Sequence, residues 1–125
     1  MRRGDPELLL RLTEAVFDAK RGRLVTLRAE EEALHRTIRG LERPLRAPGP
    51  EIDPARRAGA DLLWQGWADT RRRALLAELA RLRVEIDKAI EELRPAFGRR
   101  EAARRMVENA RQARARAASR RVERP

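Results

Sequence analysis

The sequence offers few side chains that could perform catalysis. Its 125 residues include a single histidine, His35, and a single serine, Ser119, but neither cysteine nor tyrosine. One histidine without a second histidine or a cysteine does not make a zinc site, and we expect His35 to be an exposed surface residue. No glycine-rich phosphate-binding motif of the G-x-x-x-x-G-K-[ST] or G-x-G-x-x-G type occurs. The sequence therefore predicts a non-enzymatic protein without catalytic residues, metal site, cofactor or small-molecule substrate.

The two tryptophans are the most distinctive candidates for binding. Trp64 and Trp67 lie three residues apart, which is about one helical turn. Two interpretations remain open. Either the pair packs on a preceding helix around Ile38, Leu41 and Leu45, or at least one tryptophan faces outward and anchors a partner, as tryptophans often do at interfaces.

The positive charge is concentrated near the C-terminal end. The net charge is +10, and from Ala96 to Pro125 ten arginines oppose three glutamates, which gives +7 and leaves +3 for the rest. A second, smaller run of arginine is Arg71-Arg72-Arg73. Such runs are typical of solvated helix faces, and they also attract acidic proteins or nucleic acids.

Two Asp-Pro pairs predict where helices begin. Asp5-Pro6 and Asp53-Pro54 each precede a long Arg-rich run with periodic apolar residues. Aspartate caps the free N–H groups of a helix, and proline suits the first helical position. Breaking residues between the runs, Pro44, Pro48, Gly49 and Pro50, indicate a turn. The predicted boundaries are helix one at about 6–43, a turn at about 44–53, helix two at about 54–109 and a basic tail without fixed structure at about 110–125.

Apolar residues recur every seven positions in both predicted helices, as in a coiled-coil seam. The rows of helix one are Leu10, Phe17, Leu24, Ile38 and Leu45, and Leu27, Leu34 and Leu41. The rows of helix two are Leu79, Ile86, Leu93 and Val107, and Leu75, Leu82, Ala89, Ala96 and Ala103. Thr13, Lys20, Glu31 and Arg100 interrupt these rows, and Pro95 predicts a kink near 93–98. We expect an all-α fold in which two long helices form an antiparallel coiled-coil hairpin.

No apolar run approaches the roughly 20 residues that a membrane span requires. The segment Met1–Pro6 has two arginines but no long apolar stretch and no small-residue cleavage site, which argues against a signal peptide. We expect a soluble, cytoplasmic protein.

The layout resembles the FliJ family, the small coiled-coil protein of the flagellar type III export apparatus, and its injectisome counterpart YscO. The stretch that carries the resemblance is Ala60–Trp67, with an aromatic-x-x-aromatic pair at the start of the second helix. About thirty residues later, Phe97 is followed by the Arg-rich stretch Arg99–Arg104, as is common in that family. The leucine and isoleucine rows between these points complete the match.

The resemblance implies a stalk or adaptor that is peripheral to the inner-membrane export apparatus. In this family the paired termini enter the hexameric secretion ATPase, the other half reaches the export-gate membrane protein, and some members bind export chaperones. The implied ATPase-contacting residues are Leu8, Leu9, Leu12, Val16, Phe97, Arg99, Arg100, Arg104, Arg105, Met106 and Val107. The implied gate-contacting residues are Leu34, Ile38, Leu41, Leu45, Trp64, Trp67 and Arg71.

Two alternatives remain open. The arginine runs also fit a coiled-coil arm that binds RNA, DNA or the ribosome, with binding that weakens steeply as salt rises. The polar interruptions in the first helix also fit a homodimeric scaffold in which helices pair between chains. The implied residues compete as well, because one apolar face cannot be both the buried seam and a surface for a partner.

Overall fold

A computed structural model describes residues 4–42 and 53–123, and within these ranges the protein consists of two helices. They are α1 (Pro6–Leu41) and α2 (Pro54–Glu123), and they pack against each other. The described ranges contain no strand. The predicted all-α fold of two long paired helices is therefore confirmed. The predicted turn lies outside the described residues apart from Asp53.

Both helices begin at the predicted Asp-Pro pairs because each aspartate caps the chain that follows. The Asp5 carboxylate accepts a hydrogen bond from the Glu7 N–H at 3.1 Å, and the Asp53 carboxylate accepts one from the Ala55 N–H at 3.4 Å. Each aspartate also contributes its carbonyl oxygen to the first helical hydrogen bond, which Leu9 and Arg57 donate. Capping of this kind typically contributes about 1 kcal/mol to helix stability.

The chain divides into two compact units that are described separately. Unit 1 comprises Met1–Val25 and Asp87–Pro125, and unit 2 comprises Thr26–Ile86. In unit 2 the core consists of Ile38, Leu75 and Leu79. In unit 1 the buried positions are Phe17, Ala89, Ala96, Ala103 and Val107. Within the described ranges, every residue of the predicted heptad rows is buried or half-buried, so the predicted seam is confirmed.

Two of the polar interruptions of the seam form ion pairs between the two helices. In unit 1 Lys20 lies 3.5 Å from Glu92, and in unit 2 Glu31 lies 3.6 Å from Arg83. Thr13 instead donates its hydroxyl to the carbonyl oxygen of Leu9 on its own helix, at 2.9 Å. Partly exposed ion pairs contribute only about 0–1 kcal/mol each. The ion pairs therefore make charged residues tolerable at these seam positions, but they stabilise the seam less than apolar contacts would.

The structure differs from the sequence prediction along the C-terminal half of α2. The helix runs through Pro95 without a break and continues to Glu123, beyond the predicted end at residue 109. Ala96, directly after the proline, is buried, so packing on α1 holds the helix at this point although one backbone hydrogen bond is lost. Beyond residue 110 alanine and arginine dominate, and both are strong helix formers. At the other boundary, α1 ends at Leu41, two residues before the predicted limit.

Neither α1 nor α2 contains a stretch that is long and apolar enough to cross a membrane, within the residues that the structure describes.

Candidate partner-binding surfaces

The first turns of α1 present an uncovered apolar surface. Leu8, Leu9, Leu12 and Val16 are 48%, 38%, 58% and 47% exposed. They are exposed because the seam of unit 1 uses positions such as Leu10 and Phe17, which leaves these four side chains on the outer faces of the helix. We call this set the α1 apolar face. It consists of the four apolar α1 residues that the resemblance assigned to the ATPase contact.

The α2 residues assigned to the same contact are divided between surface and core. Leu12, Thr13 and Val16 line a shallow groove with Ala96 and Arg99 of α2. Phe97 and Met106 are about half exposed, and the side chains of Arg104 and Arg105 are exposed. Val107 is only 5% exposed. Val107 therefore offers little surface to a partner, because this side chain belongs to the seam.

Arg100 occupies a seam position and is held by aromatic rings. Its guanidinium carbon lies 3.8 Å from the ring centre of Phe17 and 5.2 Å from that of Phe97, and the two rings are 6.1 Å apart. One of its terminal nitrogens lies 3.5 Å from a carboxylate oxygen of Glu101. Only 15% of the Arg100 side chain is exposed. Arg100 is therefore a structural part of unit 1 rather than a freely accessible cation.

Replacing Arg100 with Ala is expected to lower the free energy of unfolding by about 1–2 kcal/mol, because cation–π contacts and the packed side-chain stem are lost. Arg100→Met keeps the stem and volume, so its cost should be smaller. The exposed Arg105→Ala is the matched control and should stay within about 0.5 kcal/mol of the parent. Urea unfolding followed by circular dichroism measures all three. Equal stability of the Arg100→Ala and Arg105→Ala variants would contradict the role of the ring contacts.

In unit 2 most residues assigned to the export gate belong to the seam. Ile38 is buried with Leu75 and Leu79, and Leu34 and Leu41 pack against this cluster. Ile38 therefore offers little surface to a partner, and Leu34 and Leu41 belong largely to the seam. Leu45 lies outside the described residues.

The tryptophan pair lies partly outside the seam. Trp64 is half-buried, whereas Trp67 is 54% exposed, and their ring centres are 5.0 Å apart. The seam position next to the pair is taken by Ala68, which is 8% exposed. Trp67 and the exposed Arg71 therefore remain available to a partner, as the second interpretation of the pair expected.

Two neighbouring leucines were not identified from the sequence. Leu62 and Leu63 are 70% and 78% exposed and precede the tryptophan pair. We call Leu62, Leu63 and Trp67 the Leu-Trp face. The sequence could have predicted an exposed leucine here, because two consecutive leucines cannot both point into a seam with seven-residue spacing. The predicted rows did not include either residue.

The arginines of α2 beyond Ala110 form a third exposed surface. Residues 111–123 are helical and exposed, with Arg111, Arg114, Arg116, Arg120 and Arg121 opposed only by Glu123. We call residues 111–123 the basic segment. It contains no aromatic residue that could stack on nucleic-acid bases.

No candidate metal centre is present in the described part of the chain. His35 is half-buried rather than fully exposed. Residues 4–42 and 53–123 contain no group of three or more histidine, cysteine, aspartate or glutamate side chains that could hold a metal ion. Exposed glutamates on the helices form ion pairs instead: Glu32 lies 3.2 Å from Arg39, and Glu91 lies 3.1 Å from Arg94. Comparison of the chain with protein-family models, curated proteins and solved structures finds no significant match.

Proposed function

We propose that the protein is a non-enzymatic stalk or adaptor of a flagellar-type protein export apparatus, cytoplasmic and peripheral to the inner membrane. In this proposal unit 1 contacts the hexameric secretion ATPase, and unit 2 contacts the export-gate membrane protein. Export chaperones are further candidate partners. The proposal rests on the sequence resemblance together with surfaces that the paired helices leave uncovered.

The single observation that carries the proposal is the α1 apolar face. Four large apolar side chains, each more than one third exposed, lie on the same three turns of α1. Large contiguous apolar surfaces on a folded protein commonly mark interaction sites. Leu12 and Val16 border a groove that also contains Arg99, so a partner with an apolar ridge and a nearby carboxylate would complement it.

The basic segment supports the same assignment through its charge. It belongs to unit 1, as does the α1 apolar face. Five exposed arginines against one glutamate would accelerate association with an acidic surface and orient the encounter. An apolar contact together with a cationic segment in the same unit suits a protein that enters the opening of a ring.

The proposed gate contact involves fewer residues than the resemblance implied. Because Ile38 is in the core, the contact falls to Trp67 and Arg71, with Trp64 partly accessible. A half-exposed tryptophan beside an arginine matches the residue types that dominate interface energetics.

The double substitution Leu12→Gln/Val16→Gln is expected to abolish most of the stimulation of the secretion ATPase from the same organism. If each side chain contributes about 1–2 kcal/mol to binding, the half-maximal concentration should rise at least about tenfold. The measurement is ATP hydrolysis by that ATPase as a function of added protein. The matched control is Val25→Gln, a position on α1 that is 62% exposed but outside the α1 apolar face, and it should stimulate normally. If the unaltered chain neither stimulates the ATPase nor co-elutes with it, the stalk proposal is refuted.

A second candidate function, binding to RNA, DNA or the ribosome, is favoured specifically by the basic segment. If its arginines contact phosphates, the logarithm of the binding constant should fall linearly with the logarithm of salt concentration. Replacing Arg114 and Arg116 with Gln should then reduce the slope by about one unit for each lost phosphate contact. Absent or salt-independent binding to mixed RNA and DNA removes this candidate. Light scattering at micromolar concentration measures the mass of the protein in solution. A monomer mass would exclude a stable homodimeric scaffold.

A further inference from the structure

The Leu-Trp face is unusual among the exposed apolar positions of unit 2. Leu62, Leu63 and Trp67 are all more than half exposed and occur within six consecutive residues of one helix. Apolar side chains this exposed are costly to leave in water, because each buried leucine typically gains about 1.5–3 kcal/mol. Three of them on two successive turns indicate that something covers this face.

The charges around the face are mainly positive. At about 100° per residue, Arg56 and Arg73 fall within about 50° of the centre of the face. Of the nearby acidic residues, Asp69 lies about 90° from the centre and Asp61 on the opposite side of α2. Arg56 and Arg73 are both exposed. Gly59 and Gly66 lie on the same side, and a Cβ built at either meets no atom within 4 Å. The face is therefore apolar, flanked by cations, and open to close approach.

We propose that the Leu-Trp face docks α2 on the surface of an anionic lipid bilayer. The three apolar side chains are exposed on a single helix rather than enclosed in a groove, which suits a flat surface. The groove between α1 and α2 in this unit is lined by other residues, among which Glu30, Glu78 and Glu85 outnumber Arg81. Leucine and tryptophan enter the boundary between headgroups and acyl chains, while flanking arginines reach anionic headgroups.

The proposed contact is parallel to the membrane plane. No described helix qualifies as a membrane span, whereas a helix with one apolar face lies in the interface with that face buried. Arg56 and Arg73 are separated by 17 residues, or about 25 Å of helix, so both can contact the same bilayer. The proposal does not depend on the ATPase contact, because neither the ATPase nor the α1 apolar face takes part in it. It does assign Trp67 to lipid, whereas the proposed gate contact assigns the same side chain to a membrane protein.

The test uses the full chain with phosphatidylcholine vesicles and with vesicles that contain one quarter phosphatidylglycerol. Trp64→Phe leaves Trp67 as the fluorescent probe, and its emission should shift to the blue with the anionic vesicles and not with the neutral ones. Leu62→Gln/Leu63→Gln should weaken co-sedimentation at least tenfold while helix content is unchanged, since both side chains are exposed. The matched control Val84→Gln, at a position 52% exposed, should bind as the unaltered chain does.

Two further double variants distinguish contact of the Leu-Trp face with the bilayer from the general attraction of a cationic protein to anionic vesicles. Arg56→Gln/Arg73→Gln should weaken binding roughly fivefold for each arginine removed. Arg116→Gln/Arg120→Gln removes the same charge from the basic segment and should have a smaller effect. Equal losses in the two pairs, full binding of the leucine variant, or an unshifted Trp67 emission would each overturn the proposal. Failure of the unaltered chain to bind vesicles would also overturn it and would leave the face to a protein partner.

Discussion

Replacing Leu75 with Ala is expected to lower the free energy of unfolding by about 2–5 kcal/mol, the usual cost of a cavity in a packed core. Leu75 is 2% exposed and forms the centre of the unit 2 cluster with Ile38 and Leu79. Native domains are stable by only about 5–15 kcal/mol, so the variant should unfold at a much lower urea concentration. Circular dichroism at increasing urea concentration measures the loss.

The neighbouring leucine provides the matched control. Leu76 is 42% exposed, and Leu76→Ala makes the same chemical change on the same helix. Its effect should remain below about 1 kcal/mol, because exposed substitutions away from special features change stability little. If both variants lost the same stability, Leu75 would not be at the centre of a packed seam.

Replacing Ala103 with Leu is expected to destabilise unit 1 by about 1–3 kcal/mol, because additional methylene groups cannot enter a filled interface without displacing their neighbours. Ala103 is fully buried, and Ala89 and Ala96 are 4% and 2% exposed in the same row. A row of alanines leaves room for little beyond the backbone of the partner helix. The seam of unit 1 is therefore expected to tolerate enlargement poorly, in contrast to the leucine-rich seam of unit 2.

Ala102→Leu is the control for this substitution, because residue 102 is adjacent in sequence but exposed. Alanine and leucine have similar helix propensities, so this change should cost less than about 0.5 kcal/mol. Thermal unfolding of both variants measures the difference. An Ala103→Leu variant as stable as its control would indicate that the alanine row has space for larger side chains.

The helices and their seam were predictable because the interactions that define them are local or periodic. Asp5 and Asp53 cap the turns that immediately follow them, and such caps can be recognised from adjacent residues alone. The seven-residue spacing of Leu75, Leu82 and Ala89 places these residues on one face of α2 whatever they contact. The end of α2 was predicted less well. No large apolar residue lies between Val107 and Val122, which argues against a seam there, but alanine and arginine favour helix on their own.

The surfaces for partners were decided only by the tertiary structure. Met106 and Val107 are consecutive apolar residues, yet the first is 44% exposed and the second 5%, because burial depends on where α1 passes. Ile38 likewise belongs to the core and Trp67 to the surface, although the sequence placed both in one candidate contact. From the sequence, Arg100 is an interruption of the seam, whereas in the structure it packs on the ring of Phe17. The sequence by itself therefore determined the helices and their buried rows through local capping and periodicity. The packing of one helix on the other determined which apolar side chains remain exposed to a partner. The sequence of a single helix does not contain this information, because burial depends on the facing helix.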